Sequence, residues 1–269
     1  MPSVNAGKYK IKSIKVFKEH VTLSFLKRDK LQISKEAYLS SYLYEGKSLS
    51  SKEIDKLIEI TSLNKLLNVA LSLAIKKRYS ERKMYEKLKA KEEDKASIMK
   101  VISVLKEKGL LNDQEYMNDL IARDNERQFG KNKIIKHLKD QGVKEELIVK
   151  ASFSPTNETK KAKALLPKLD KKYSRYAYEI KKKHIFNALV SQGYEMGTIK
   201  QVIGETKKDQ PKKEKEKLKN DYIKIKSRYA KKYEGYELNK RVYAALVNKG
   251  YKHTEIRSLL EDYDDENGY

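Results

Sequence analysis

Residues 135–148 read IKHLKDQGVKEELI. Ile135 and Leu138 are three apart and share one helix face, Gly142 stands where that face ends, and Val143 and Ile148 open another apolar pattern. Glycine just past a helix end adopts the left-handed backbone conformation at little cost, so the phrase is one helix, its cap and the start of the next. It returns as FNALVSQGYEMGTI over residues 186–199 and as YAALVNKGYKHTEI over residues 243–256. An earlier copy, Tyr85, Leu88 and Ile98, keeps the spacing but has Glu92 at the glycine place. A phrase recurring at intervals of several tens of residues marks a tandem array. Arrays usually bind something long rather than turn over something small. Ile102, Leu105, Gly109 and Leu110 match only half of the phrase and mark no more than a helix end, because Asn112 and Asp113 then begin a new capped segment.

Working outward, residues 9–33 read as strands. Val21, Leu23 and Phe25 alternate with Thr22, Ser24 and Leu26, and Leu31 and Ile33 follow a charged turn. A short helix is expected over Ser34 to Leu43, then a turn at Gly46. Ser50 or Ser51 caps a helix carrying Ile54, Leu57 and Ile58, and Leu63 to Lys77 continues helical. Ser80 begins the next helix, and Ile98, Val101, Ile102 and Leu105 form the one after it. Ser152 to Asn157 reads as a loop, and the charged run Lys207 to Lys219 as a linker running into a helix, with a fourth unit from Leu218. The expected fold is therefore mainly α: an elongated tandem array of three-helix, helix-turn-helix-like repeats with a small N-terminal β hairpin or meander. Its parts are a β element with a connecting helix over residues 1–62, and repeats over 63–112, 113–154 and 155–206. A charged linker, a fourth repeat and an acidic tail occupy 207–269.

Among 269 residues there are 61 Lys and Arg against 38 Asp and Glu, a net charge of +23. Residues 151–269 hold 28 basic and 17 acidic side chains, and five of those acids sit together from Glu261 to Glu266. Such a segment attracts a polyanion over about 8 Å at physiological salt. The plainer explanation, a lysine-rich surface that keeps the protein in solution, competes with it. Tyrosine is dense in the last two repeats. Tyr194 and Tyr251, just after the glycine, are expected in the core, since Val143 and Leu110 take the matching place. Tyr176, Tyr229 and Tyr233, flanked by Lys and Arg, are expected at the surface, where tyrosine can stack on bases.

No catalytic constellation stands out. Gly46-Lys47-Ser48 lacks the earlier glycine of a phosphate loop, since Ser41 stands there, and reads as a plain turn. His20, His137, His184 and His253 are isolated and there is no cysteine, so no metal site and no cofactor is expected. The Met1-Pro2-Ser3-Val4-Asn5 start has no export pattern. The best apolar stretch, Leu66 to Ile75, is too short for a bilayer. A cytoplasmic protein that is neither an enzyme nor membrane-bound is expected.

The chain resembles the RecX regulatory proteins, modulators of the RecA recombinase. The resemblance rests on the strand-like start from Lys10 to Ile33, on Tyr79-Ser80-Glu81 through Leu88, and on LKEKGLLNDQEY over residues 105–116. Ile121-Ala122-Arg123 through Gly130-Lys131 and the three glycine phrases complete it. The departures are Glu92 in place of glycine and no proline near Arg78-Tyr79. The N-terminal extension and the fourth repeat look like the larger Gram-positive members. The resemblance implies a monomer that binds RecA filaments on single-stranded DNA and inhibits or remodels strand exchange, ATP hydrolysis and co-protease activity. DNA would be met directly or through the filament. The rival class is a helical-repeat protein that binds single-stranded or duplex DNA by itself. The expected contact residues are Arg78, Arg82, Arg123, Arg127, Lys131, Lys133, Lys136, Arg175, Tyr176, Arg228, Tyr229 and Arg241. Arg is favoured there because its planar fork meets phosphate and carboxylate bidentately.

Overall fold

The computed structural model describes residues 8–92, 94–208 and 210–266. The Met1–Asn5 start and the side chains of the acidic residues after Glu261 lie outside what it describes. The described residues divide into two compact units, one of residues 1–118 with 139–147, the other of residues 119–138 with 148–269.

The first unit opens with β1 (Tyr9–Val16), β2 (Val21–Phe25) and β3 (Leu31–Ile33), then α1 (Lys35–Ser40) and β4 (Ser48–Leu49). The expected meander is present and gains a two-residue fourth strand. All pairings are antiparallel, in the order β3-β2-β1-β4, with Ile14 opposite Leu23 and Leu23 opposite Leu31. The inward residues Ile11, Val21, Leu23, Phe25 and Ile33 pack on Ile54 and Leu57 of α2 (Ser51–Lys76). Two to four short strands are marginal alone, and this helix supplies the missing layer. Gly46 makes its turn at φ +91°, and Lys47 turns back to donate to the Ser41 and Tyr42 carbonyls.

Ser50 caps α2 with a full capping box, its hydroxyl accepting from the Glu53 amide while Glu53 accepts from the Ser50 amide. The helix then runs unbroken across residues 62 and 63. Its first half serves the sheet, and its second half, with Leu66 and Ala70, packs on Met84, Leu88, Ile98 and Leu105. At 26 residues, α2 is long and apolar enough to cross a membrane by length and composition, unlike the ten-residue stretch expected. Here Leu66 and Ala70 are core residues of the first repeat.

Helices then come in triplets. α3 (Glu81–Lys89) and α4 (Lys95–Glu107) follow α2. α5 (Asp113–Glu126), α6 (Lys131–Asp140) and α7 (Glu145–Lys150) form the second set. α8 (Pro155–Lys172), α9 (Tyr178–Ser191) and α10 (Met196–Ile203) form the third, and α11 (Pro211–Tyr229), α12 (Gly235–Asn248) and α13 (His253–Glu266) the fourth. The phrase residues do what they were expected to do. Leu88, Leu138, Leu189 and Leu246 have no exposed surface, and Gly142, Gly193 and Gly250 all have positive φ. Tyr194 and Tyr251 are buried. Leu110 is not: it is 38% exposed, and Leu111 takes the core place, because two leucines follow Gly109 where the full phrase has one apolar residue.

The expected loop over Ser152 to Asn157 and the expected linker from Lys207 each contain a proline that starts a helix. Ser154 caps α8 with Pro155 at its first position, so Pro155, Thr156 and Asn157 are helix and not loop. Pro211 opens α11 in the same way, so the charged run is mostly helix and the fourth set begins seven residues before Leu218. A proline's missing amide costs nothing in a first turn, and Lys and Glu are good helix formers. The backbone of α13 likewise continues to Glu266 instead of ending before the acidic run.

Candidate nucleic-acid and partner interface

Each triplet meets the next through its glycine turn. In the first unit the Ser80 hydroxyl donates to the Gln141 carbonyl at 2.7 Å, and Gly142 lies against Arg82 and Ser80. In the second unit Gly130 and Gly193 bring two backbones together. The Gly130 amide donates to the Gln192 carbonyl at 2.8 Å and the Asn132 amide to the Gly193 carbonyl at 2.9 Å. A Cβ on Gly130 would collide with the Tyr194 amide, and one on Gly193 with the Lys133 backbone. Gly250 instead lies against the side chain of Ile180.

Ion pairs flank these turns. Glu81 takes Lys144 at 3.0 Å and Lys106 at 2.9 Å. Partial burial pushes the Glu81 carboxyl up, but its two lysine partners outweigh that and hold it below the usual carboxylate range. At the next turn the polarity is reversed: Lys131 donates to Glu195 at 2.7 Å, a bond that raises its pKa. The amide of Glu81 is received by Asp113, whose carboxyl is raised by burial, and that of Lys131 by Glu158.

The expected contact residues divide between the units. Arg78 and Arg82 are exposed in the first, and Arg82 is paired with Glu86 at 3.1 Å. The rest belong to the second unit. Arg123 is exposed and donates to the Asp119 carbonyl at 3.3 Å. Arg127 stands just past the end of α5, 4.0 Å from the buried carboxylate of Asp124, which also receives His137 at 2.7 Å. Lys136 is exposed. Lys131 and Lys133 are only half exposed and are engaged at the glycine seam, Lys133 with Gln192 at 3.1 Å. Arg241 pairs with Glu237 at 2.8 Å.

A pattern the sequence reading missed connects several of them. Lys133, His184 and Arg241 each stand nine residues before a phrase glycine. Each stacks on an aromatic ring at the corner between its triplet's first two helices. Lys133 lies 3.9 Å from the Phe129 ring centre and Arg241 4.1 Å from that of Tyr233. His184 stacks on Tyr173 at 5.1 Å and against Tyr176 at 4.4 Å. Arg175 and Arg228 add guanidinium groups over Tyr176 and Tyr229 at 4.9 and 4.8 Å. The tyrosines expected at the surface are half-buried, each with one face on a cation. Such stacks orient a cation without neutralising it.

The third corner opens on a groove of about 610 Å³ lined by Arg175, Tyr176, Lys217, Asn220, Lys224 and Asn248, with Asp221 and Lys249 at its side. Asp221 is already engaged by Lys249 at 2.6 Å and by the Tyr251 hydroxyl at 2.9 Å. Burial and that carboxylate push the Tyr251 pKa well up, so it stays a donor. Among the described residues no group of three or more His, Cys, Asp or Glu side chains is placed to hold a metal ion.

No family model matches the chain. It is 33% identical over 124 residues to the regulatory protein RecX of Streptococcus gordonii, covering 45% of this chain and 45% of that protein. The RecX of Streptococcus agalactiae serotype Ia is 30% identical over 129 residues, 47% of this chain and 49% of that protein. The matched stretches thus span about half, or less, of these relatives. A crystal structure of regulatory protein RecX superposes with a TM-score of 0.62 at 19% identity, covering 73% of this chain and 100% of that one. RecX from Lactobacillus salivarius gives 0.50 at 22%, covering 54% and 96%. At these identities the structural likeness establishes the fold, a helical repeat.

Proposed function

We infer, from this chain's similarity to the RecX regulatory proteins, that it binds RecA filaments assembled on single-stranded DNA and modulates them, mainly by inhibition. Strand exchange, ATP hydrolysis and the co-protease activity that sets off the SOS response would all fall. The chain would act as a cytoplasmic monomer, by binding and not by catalysis. The observation that carries this is that similarity. The cation-bearing corners of the second unit fit it, since a nucleoprotein filament is a long anionic surface and a repeat presents its contacts at regular intervals.

The test is a pull-down and ATPase assay with RecA on single-stranded DNA. Wild-type protein should bind the filament and slow ATP hydrolysis. Arg123→Glu with Arg127→Glu, confirmed as folded by circular dichroism, should lose most of that inhibition. No binding by the wild type would refute the reading. Full inhibition by the double variant would remove α5 from the contact surface.

A further inference from the structure

We propose that the first unit carries a docking site, between the end of α1 and α2, for a short segment of another protein in which apolar side chains stand among Asp and Glu. None of the contact residues expected for the filament lies there; the first of them in the chain is Arg78.

The loop after α1 turns its apolar side chains outward. Leu39 is 74%, Tyr42 86% and Tyr44 64% exposed, while Leu43 among them is buried. Single exposed apolar residues are ordinary, but several together make a patch of the kind that partners cover. Tyr42 holds its place at φ +45°, in the left-handed region that a bulky side chain enters only under constraint. The constraint is Lys47, whose ammonium donates to the Ser41 and Tyr42 carbonyls, both at 3.1 Å. A strained backbone that shows an aromatic ring to solvent does nothing for the core, and such strain collects at binding loops.

A pocket of about 290 Å³ opens beside this ring. Ser41 and Leu43, on either side of Tyr42 in the chain, line it together with Leu49, Leu57 and Ile60. Its walls are therefore largely aliphatic, and its available charge is positive. Lys47 and Lys56 border it, and its one acid, Glu53, is already taken by the Ser50 amide and hydroxyl at 2.7 and 2.9 Å. Lys56 is exposed and pairs with no acid among the described residues. An apolar side chain of the partner fills the pocket, its apolar neighbour covers Tyr42, and a carboxylate next to them meets Lys56. Tyrosine is the side chain interfaces favour for such an anchor. Other occupants fit worse. A second copy of this chain brings the same lysines and a further net charge of +23 to the contact. A nucleic-acid strand finds aliphatic walls and no arginine fork in the pocket.

The experiment is a peptide array probed with the labelled full chain, with neither recombinase nor DNA present. Its peptides carry pairs of Leu, Ile, Phe or Tyr at varied spacing among Asp and Glu. Matched sets replace the apolar residues by Ser, or the acids by Lys. The best acidic–apolar peptide is then labelled and titrated by fluorescence anisotropy. Acidic–apolar peptides should bind and the matched sets should not. Tyr42→Gly should weaken binding by at least about tenfold, as loss of an aromatic anchor does. Its melting temperature should hold or rise, because glycine relieves the left-handed strain. Lys56→Glu should weaken binding far more than Lys95→Glu, the same charge change at an exposed position of α4. Tyr236→Ala, at a tyrosine 82% exposed in α12, should leave it unchanged. Absence of binding by the wild type would overturn the site, as would equal binding of the serine set or full binding by Tyr42→Gly. So would displacement of the peptide by a thymidine oligonucleotide at lower concentration than by unlabelled peptide. Self-association in sedimentation runs that Tyr42→Gly abolishes would give the patch to a second copy instead. RecA is absent throughout, so failure here leaves the filament reading standing, and failure of the ATPase assay leaves this site standing.

Discussion

At the residue scale, the sharpest constraint is the meeting of Gly130 with Gly193. The sequence shows Gly193 as a helix cap, and its φ of +84° agrees. Gly130 was legible only as a helix break. That it yields its side chain to a facing turn could not be read, because the contact joins residues 63 apart and depends on how two triplets dock. Gly130→Ala and Gly193→Ala should each destabilise the second unit by about 1–3 kcal/mol or more, through backbone collision and, at 193, left-handed strain. Gly197→Ala, at a glycine with open space around it, should be neutral or mildly stabilising. Urea unfolding curves for the three variants would check this, and equal stability of all three would remove the seam. Tyr194 locks the same place: its hydroxyl donates to the Gln128 carbonyl at 2.7 Å, and burial keeps it protonated.

At the element scale, helix starts were easy to read where a capping serine stands before an ordinary helix former and hard where proline takes the first position, even behind a capping serine such as Ser154. Ser80 receives the Lys83 amide and Ser50 that of Glu53, as their spacing implied. Pro155 and Pro211 obscure the starts of α8 and α11 because the same residue breaks a helix interior and opens a first turn. The joints between triplets hold a further element-level device, the reversal from Glu81–Lys144 to Lys131–Glu195. A wrong pairing of turns would bring like charges together, which gives the array a preferred order at small cost in stability. Each pair is half exposed and worth about 0.2–1 kcal/mol. Lys131→Glu should therefore lose about 1 kcal/mol, since it faces Glu195 and Glu158 together. Adding Glu195→Lys should restore part of the loss but not all, because Glu158 stays opposite position 131. Strictly additive losses across the cycle would show that the pair has no coupling.

At the scale of the whole molecule, the sequence revealed the class of fold and the sign of the chain's own charge, while the candidate site was only partly legible. Periodicity reports which residues face inward, and net charge reports what is attracted; neither says which cations are already answered by acids. Lys131, Lys133 and Arg241, expected as contact residues, also have partners within the fold, and Lys224, outside that expectation, lines the groove. The positions nine before each glycine were the available signal, visible once the repeat is aligned on that glycine. The same alignment governs stability. Leu138, Leu189 and Leu246 are fully buried at equivalent places, so Leu→Ala at each should cost about 2–5 kcal/mol. In a stack of repeats each unit leans on its neighbours alone, so the loss should stay local. Leu246→Ala should raise amide hydrogen exchange through α11–α13 and to a lesser degree α8–α10, while the amides of β1–β3 keep wild-type protection. Leu138→Ala should likewise loosen the helices packed around it in the second unit. Uniform loss of protection along the whole chain for Leu246→Ala would mean that the molecule unfolds as one cooperative body, and the account of independent triplets would fail.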